Sequence, residues 1–136
     1  MFGSHLSIAG GLHNAVASAV ELGMDTVQVF TKNQRQWRAP RLTSDAVDIW
    51  RAAVAESKLE QPVSHDSYLI NLASPAAATR EKSVALFRTE IENCEQLGIP
   101  WLVTHPGAHL GAGEEAGLRR VARALDRVHR NLPGYR

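Results

Sequence analysis

Three of the six histidines each close a short apolar run: Phe2-Gly3-Ser4-His5, Gln61-Pro62-Val63-Ser64-His65 and Pro100-Trp101-Leu102-Val103-Thr104-His105. A residue just past the end of a buried parallel strand faces the mouth of the sheet, where α/β proteins gather their chemistry. Neutral imidazole is also a preferred ligand for zinc and related ions. His65 and His105 hold corresponding places in consecutive segments, so adjacent strands would set their rings side by side. Two readings are open: the pair shares a metal ion completed by a carboxylate or water, or it is hydrogen-bonded in the rim of the core. For His5 the options are a further ligand, a donor that orients other ligands, or a polar plug, and the last two are favoured. His13, His109 and His129 fall on turn or helix positions and are expected to face solvent.

A second group lies in the loop from Thr31 to Arg41, which carries Lys32, Arg35, Arg38 and Arg41 and no acid. Lysine and arginine contact phosphate, the amides of Asn33, Gln34 and Gln36 can bond base edges, and an exposed Trp37 or Arg35 plane can stack on an unpaired base. The alternative is a solvated loop with Trp37 tucked against the core. Directly after His65 come Asp66-Ser67-Tyr68-Leu69, in which Tyr68 and Leu69 are either wedges for a duplex or ordinary packing residues. Arg119, Arg120, Arg123, Arg127 and Arg130 are interleaved with Glu114, Glu115 and Asp126 and read as a solvated helix face. No P-loop, dinucleotide fingerprint or Ser-His-Asp order is present, and Gly111-Ala112-Gly113 is too short to count as one.

The elements that must hold these residues alternate between short β-type runs and longer segments of helical period, the pattern of βαβ units on a parallel sheet. Four units are expected. The first spans Phe2 to about Gly23, with Leu12, Val16, Ala19 and Val20 on one helix face. The second has a strand over Thr26 to Phe30, a long loop, and a helix opening at Thr43-Ser44-Asp45 with Val47, Trp50 and Val54 inward. The third pairs a strand at Pro62 to His65 with a helix striped by Val84, Phe87, Ile91, Cys94 and Leu97, stopped by Gly98. The fourth follows Trp101 to Thr104 with a helix carrying Leu118, Val121, Leu125 and Val128.

With 136 residues, 44% of them hydrophobic and 21% charged, the chain suits a single globular domain with its own core. A net charge of +1 provides no global basic field, so any nucleic-acid surface must be local. The lone Cys94 excludes an internal disulfide framework and a multi-cysteine zinc finger; it is expected in the core and fits a reducing cytoplasm. No signal-like or membrane-spanning apolar run occurs, so no membrane partner is expected. Four βα units are half of an eight-unit barrel of roughly 250 residues. The chain is therefore expected to be truncated, with Pro133-Gly134-Tyr135-Arg136 entering a fifth strand and an open sheet edge inviting self-association.

The segments Phe30 to Arg38, His65 to Leu72 and His105 to Leu110, together with Ser4-His5-Leu6-Ser7 and Gly10-Gly11-Leu12, closely resemble the motifs of endonuclease IV, the zinc-dependent apurinic/apyrimidinic endonuclease family of base-excision repair. The resemblance runs in order over essentially the whole chain. It implies a xylose isomerase-like (β/α)8 barrel, of which residues 1–136 are the N-terminal half, and a three-zinc cluster in the complete protein. It also implies cleavage of the phosphodiester 5′ to an abasic site by metal-assisted hydrolysis, with double-stranded DNA containing such sites as partner. Carried over by position, His65 and His105 are ligands of one zinc. Arg35, Tyr68 and Leu69 insert at the lesion, and Asn33 and Gln36 share the DNA-facing loop. The family's glutamate, aspartate and further histidine ligands lie on later strands. At most part of one metal site, and little or no incision, is thus expected unless a second chain completes the barrel. The rival readings are a metal-dependent sugar isomerase or epimerase of the same superfamily and a non-catalytic DNA-binding half-barrel.

Overall fold

The computed structural model describes residues 1–130 and 132. Strands and helices alternate as β1 (Gly3–His5), α1 (Leu12–Glu21), β2 (Thr26–Val29), α2 (Ser44–Glu56), β3 (Val63–His65), α3 (Ala77–Leu97), β4 (Trp101–Val103) and α4 (Glu114–Arg130). The strands form one sheet in the order β1-β2-β3-β4, every pair parallel, which is the expected α/β architecture. The strands end one residue earlier than expected at Val29 and Val103, so Phe30 and Thr104 belong to the loops at the mouth.

Local chemistry sets the helix limits. Thr43 caps α2 by accepting a hydrogen bond from the Ala46 amide at 3.2 Å. Gly98 ends α3 in the left-handed region at φ 69°, where a Cβ would be strained, and the Ile99 amide closes back on the Cys94 carbonyl at 2.9 Å.

Two apolar clusters form the core. One joins Leu12, Ala15, Val16 and Ala19 of α1 to Val27 and Val29 of β2, Trp50 of α2, and Cys94, Leu97 and Ile99. The other joins Ile70 and Leu72 to Val84, Phe87 and Ile91 of α3 and to Ala124 and Val128 of α4. All five residues of the expected α3 stripe are buried, and Trp50 is 1% exposed, with Val47 and Val54 packed beside it.

Two stripe residues are corrections. Val20 is 53% exposed because the buried face of α1 is centred on Ala15, Val16 and Ala19. Leu118 is 59% exposed because α4 approaches through Gly117, which packs against His109 and Ala73. His13, expected in solvent, is half-buried and lines a groove between α1 and α2, while His109 and His129 are exposed. The fifth-strand expectation for residues 133–136 lies outside the described residues. Among the described residues, no helix is long and apolar enough to cross a membrane.

Candidate metal and nucleic-acid site

His65 ends β3 and pairs in register with Val103 of β4, so His105 lies two residues beyond the strand, on the same side by the period-two rule. Two backbone stitches hold the β4 loop against the β3 loop. The Asp66 amide donates to the Val103 carbonyl at 3.0 Å, extending the ladder, and the Ala73 amide donates to the Pro106 carbonyl at 3.2 Å. The Asn71 side chain adds a third link: it donates to the Ala108 carbonyl and accepts from the Ala108 amide, both at 3.1 Å. Gly107 makes this approach possible: at φ 92° it favours glycine, and a Cβ there would collide with Asn71. The result is the expected juxtaposition, with the His65 and His105 ring centroids 5.1 Å apart.

Hydrogen bonding fixes which nitrogens are available. The His65 Nδ1 lies 2.8 Å from the Asp66 carbonyl oxygen. A carbonyl only accepts, so Nδ1 carries the proton, and in the neutral ring Nε2 keeps its lone pair, the usual arrangement behind a metal-bound histidine. His5, half-buried on β1, uses Nδ1 against Gln28 Oε1 at 2.9 Å, and its Nε2 is buried with no hydrogen-bond partner among the described residues. Its centroid is 6.4 Å from that of His65. Phe30 packs beside both rings, 4.2 Å from His5 and 5.7 Å from His65 by centroid.

The chemistry of these donors suits zinc, which favours imidazole nitrogen, and the buried His5 Nε2 is a further imidazole nitrogen near the pair. Among the described residues, no group of three His, Cys, Asp or Glu side chains is arranged to hold an ion. The pair thus fits part of a coordination shell.

The lip beside the pair comes from two loops. Asn33, Arg35 and Gln36 are exposed, and Asn33 Oδ1 accepts from the Arg35 amide at 2.9 Å, which shapes the turn that presents Arg35. Tyr68 is 67% exposed, yet its ring stands on Phe30 and His65 at 5.4 and 5.7 Å; Leu69 is half-buried. The loops are joined where the Ser67 hydroxyl donates to the Gln34 carbonyl at 2.7 Å. A cleft of about 540 Å³ lined by His5, Phe30, Asn33 and Arg35 opens along this lip, within the usual size range for a ligand pocket. Trp37 is 39% exposed and flanks a groove with Leu86 of α3, between the stacking and tucked alternatives.

Lys32 departs from expectation. It is 6% exposed, and its Nζ donates to the Asn33 and Gln36 carbonyls at 2.9 and 2.7 Å, so it braces the loop from within and is not a phosphate contact. Burial lowers its pKa, partly offset by the charge of Glu90.

Sequence reasoning missed Glu90, Asn93 and Thr104. The Thr104 hydroxyl donates to Asp66 Oδ2. Burial raises the Asp66 carboxyl above the ordinary range, against that bond and the nearby His65 and His105. Glu90, 1% exposed, accepts from the Thr31 hydroxyl at 2.6 Å, and Asn93 donates to Thr31 Oγ1 at 3.0 Å. Glu90 sits in the stripe Phe87-Ile91-Cys94, and a carboxylate inside an apolar stripe is the signal that could have revealed it.

Burial also raises the Glu90 carboxyl, opposed by Thr31, Lys32 and the Ser67 backbone and reinforced by Asp66. A raised carboxyl keeps its proton in the fold after the unfolded chain has released it, so its contribution to stability falls as pH rises from the free-glutamate value, about 4.3, through the folded value. Urea denaturation across that window should show Glu90→Gln gaining on the wild type as pH increases. Parallel curves would contradict the assignment.

A family profile described as xylose isomerase-like TIM barrel matches residues 16–132. The probable endonuclease 4 of Chloroflexus aurantiacus is 50% identical over 127 residues, covering 93% of this chain and 45% of that protein. The crystal structure of endonuclease IV from Thermus thermophilus superposes with a TM-score of 0.80 at 35% identity, over 94% of this chain and 47% of that one. A D-psicose 3-epimerase crystallised with D-fructose shares the fold alone, with a TM-score of 0.68 at 15% identity over 94% of this chain and 47% of that one. The chain spans about half the length of the curated relatives it matches. It belongs to the xylose isomerase-like TIM barrel family, and within that family its likeness is to endonuclease IV.

Proposed function

We propose that this chain carries the lesion-reading lip and two histidine ligands of a zinc-dependent endonuclease that hydrolyses the phosphodiester 5′ to abasic sites in double-stranded DNA. The observation that carries this reading is the meeting, at one mouth, of the His65 and His105 rings 5.1 Å apart with the loop presenting Arg35. Zinc held by these two rings would supply charge neutralisation at the scissile phosphate and acidification of a water.

The chain's own residues do the rest. The Asp66 carbonyl orients the His65 ring, and Arg35 places a fixed cation beside the phosphate backbone. Tyr68, exposed but backed by Phe30, is placed to fill the gap left by an extruded nucleotide, with Leu69 beside it. Extrusion costs least where the base is already missing, so the damage selects itself. Asn33 and Gln36 offer amides to the same strand. His5 supports the rim from behind, and the remaining donors for a zinc cluster come from the other half of the barrel, on this or a second chain. A sugar pocket has no use for this cationic lip, which weighs against the epimerase reading.

Fluorescence anisotropy with a duplex holding one tetrahydrofuran abasic analogue tests the proposal. Tighter binding to that duplex than to its intact counterpart is expected. Arg35→Ala should weaken it about tenfold and reduce the magnitude of the slope of log K against log salt by about 1. Equal affinity for the two duplexes would overturn the reading.

A further inference from the structure

Glu90 lies on the buried face of α3 between Phe87, Ile91 and Cys94, where an apolar residue would continue the stripe and an acid is costly to bury. One lip loop reaches it directly, and the other is tied to that loop. From the first, Thr31, 4% exposed, donates its hydroxyl to Glu90 Oε2 at 2.6 Å and is held in turn by Asn93, one helical turn from Glu90, at 3.0 Å. The second loop is tied to the first, where the Ser67 hydroxyl donates to the Gln34 carbonyl at 2.7 Å. Lys32, directly after Thr31, turns inward and braces the carbonyls of Asn33 and Gln36 on either side of Arg35.

We propose that Glu90 is a positioning residue: one buried carboxylate on α3 anchors the Asn33–Gln36 loop through Thr31, and the Ser67–Gln34 bond holds the Tyr68–Leu69 loop to it, so that Arg35 and Tyr68 are presented together on a single rigid lip. The nature of the ligand rests on the function proposed above; the clamp itself does not. Binding to a lip already ordered avoids the entropy of immobilising two loops on the ligand, so loosening the clamp weakens affinity without removing any contacting side chain.

The test is hydrogen–deuterium exchange of the free chain, paired with binding of the tetrahydrofuran duplex, for wild type, Glu90→Leu and Glu90→Gln. Leucine keeps the bulk but offers no acceptor; glutamine keeps one acceptor and adds a donor that Thr31 Oγ1 can receive. The expected result is faster exchange in residues 31–37 and 66–70 together in Glu90→Leu, with α1 and α2 unchanged, and affinity lower by about tenfold. Glu90→Gln should restore both. Should Glu90→Leu fail to fold, Thr31→Val cuts the same link from the loop side and should release residues 31–37. Unchanged exchange in both loops, release of one loop alone in Glu90→Leu, or failure of glutamine to restore order would overturn the proposal. A wild type without preference for the abasic duplex would sink the DNA reading and leave the exchange result to decide the clamp.

Discussion

Replacing His65 with alanine is expected to weaken zinc binding by at least about a hundredfold, since even outer partners of metal ligands cost roughly 10- to 100-fold when removed. His65 is the buried member of the pair, 8% exposed, its ring fixed by the Asp66 carbonyl at 2.8 Å and its other nitrogen left for a ligand. His105 stands 5.1 Å away by centroid on a loop held to Asn71, so the two rings stand side by side as the proposed shared ion requires. With one ring gone, the other is a single exposed imidazole of the kind found on any surface. Competition against a chromophoric zinc chelator measures this directly. His105→Ala should match His65→Ala, while Arg35→Ala should leave zinc binding intact because Arg35 contributes charge to the lip and no lone pair. Equal zinc content in wild type and His65→Ala would refute the ligand assignment.

The largest stability effect is expected at Trp50, far from that chemistry in the other core cluster. It is 1% exposed, and its indole Nε1 donates to the Leu97 carbonyl at 3.1 Å, tying α2 to the end of α3. Trp50→Ala removes the largest buried side chain and orphans a carbonyl, a loss of about 3 to 5 kcal/mol for the cavity and about 1 to 3 kcal/mol for the unpaired acceptor if no water reaches it. Against the roughly 5 to 15 kcal/mol that stabilises an ordinary domain, this brings the fold close to its limit. Trp50→Phe keeps most of the burial and should cost far less. Urea midpoints distinguish the cases, and a Trp50→Ala loss below about 1 kcal/mol would show that the indole is not the keystone of that cluster.

The order of elements was legible because each strand is a short β-type run and each helix carries a spaced apolar stripe; α3, with its Gly98 stop, reads almost residue for residue. The convergence of His65 with His105 follows from parallel strands and period-two geometry, both visible in the chain. What escaped depended on neighbours that a linear reading does not supply. Val20 and Leu118 lie at the margins of their stripes, and whether a margin is buried depends on what packs beside it; α4 seats through Gly117 against the His109 and Ala73 loops. Lys32 reads as one more surface cation until its loop folds back and presents two carbonyls to Nζ. The strands proved shorter than the apolar runs because pairing stops where the register ends, and this frees Phe30 and Thr104 to line the mouth.

Anomalous diffraction at the zinc edge from crystals of the zinc-loaded chain decides whether His65 and His105 share an ion. A peak within about 2.0 to 2.1 Å of an imidazole nitrogen of both His65 and His105 is expected. A peak elsewhere, or two rings with no ion in common, would contradict the shared site.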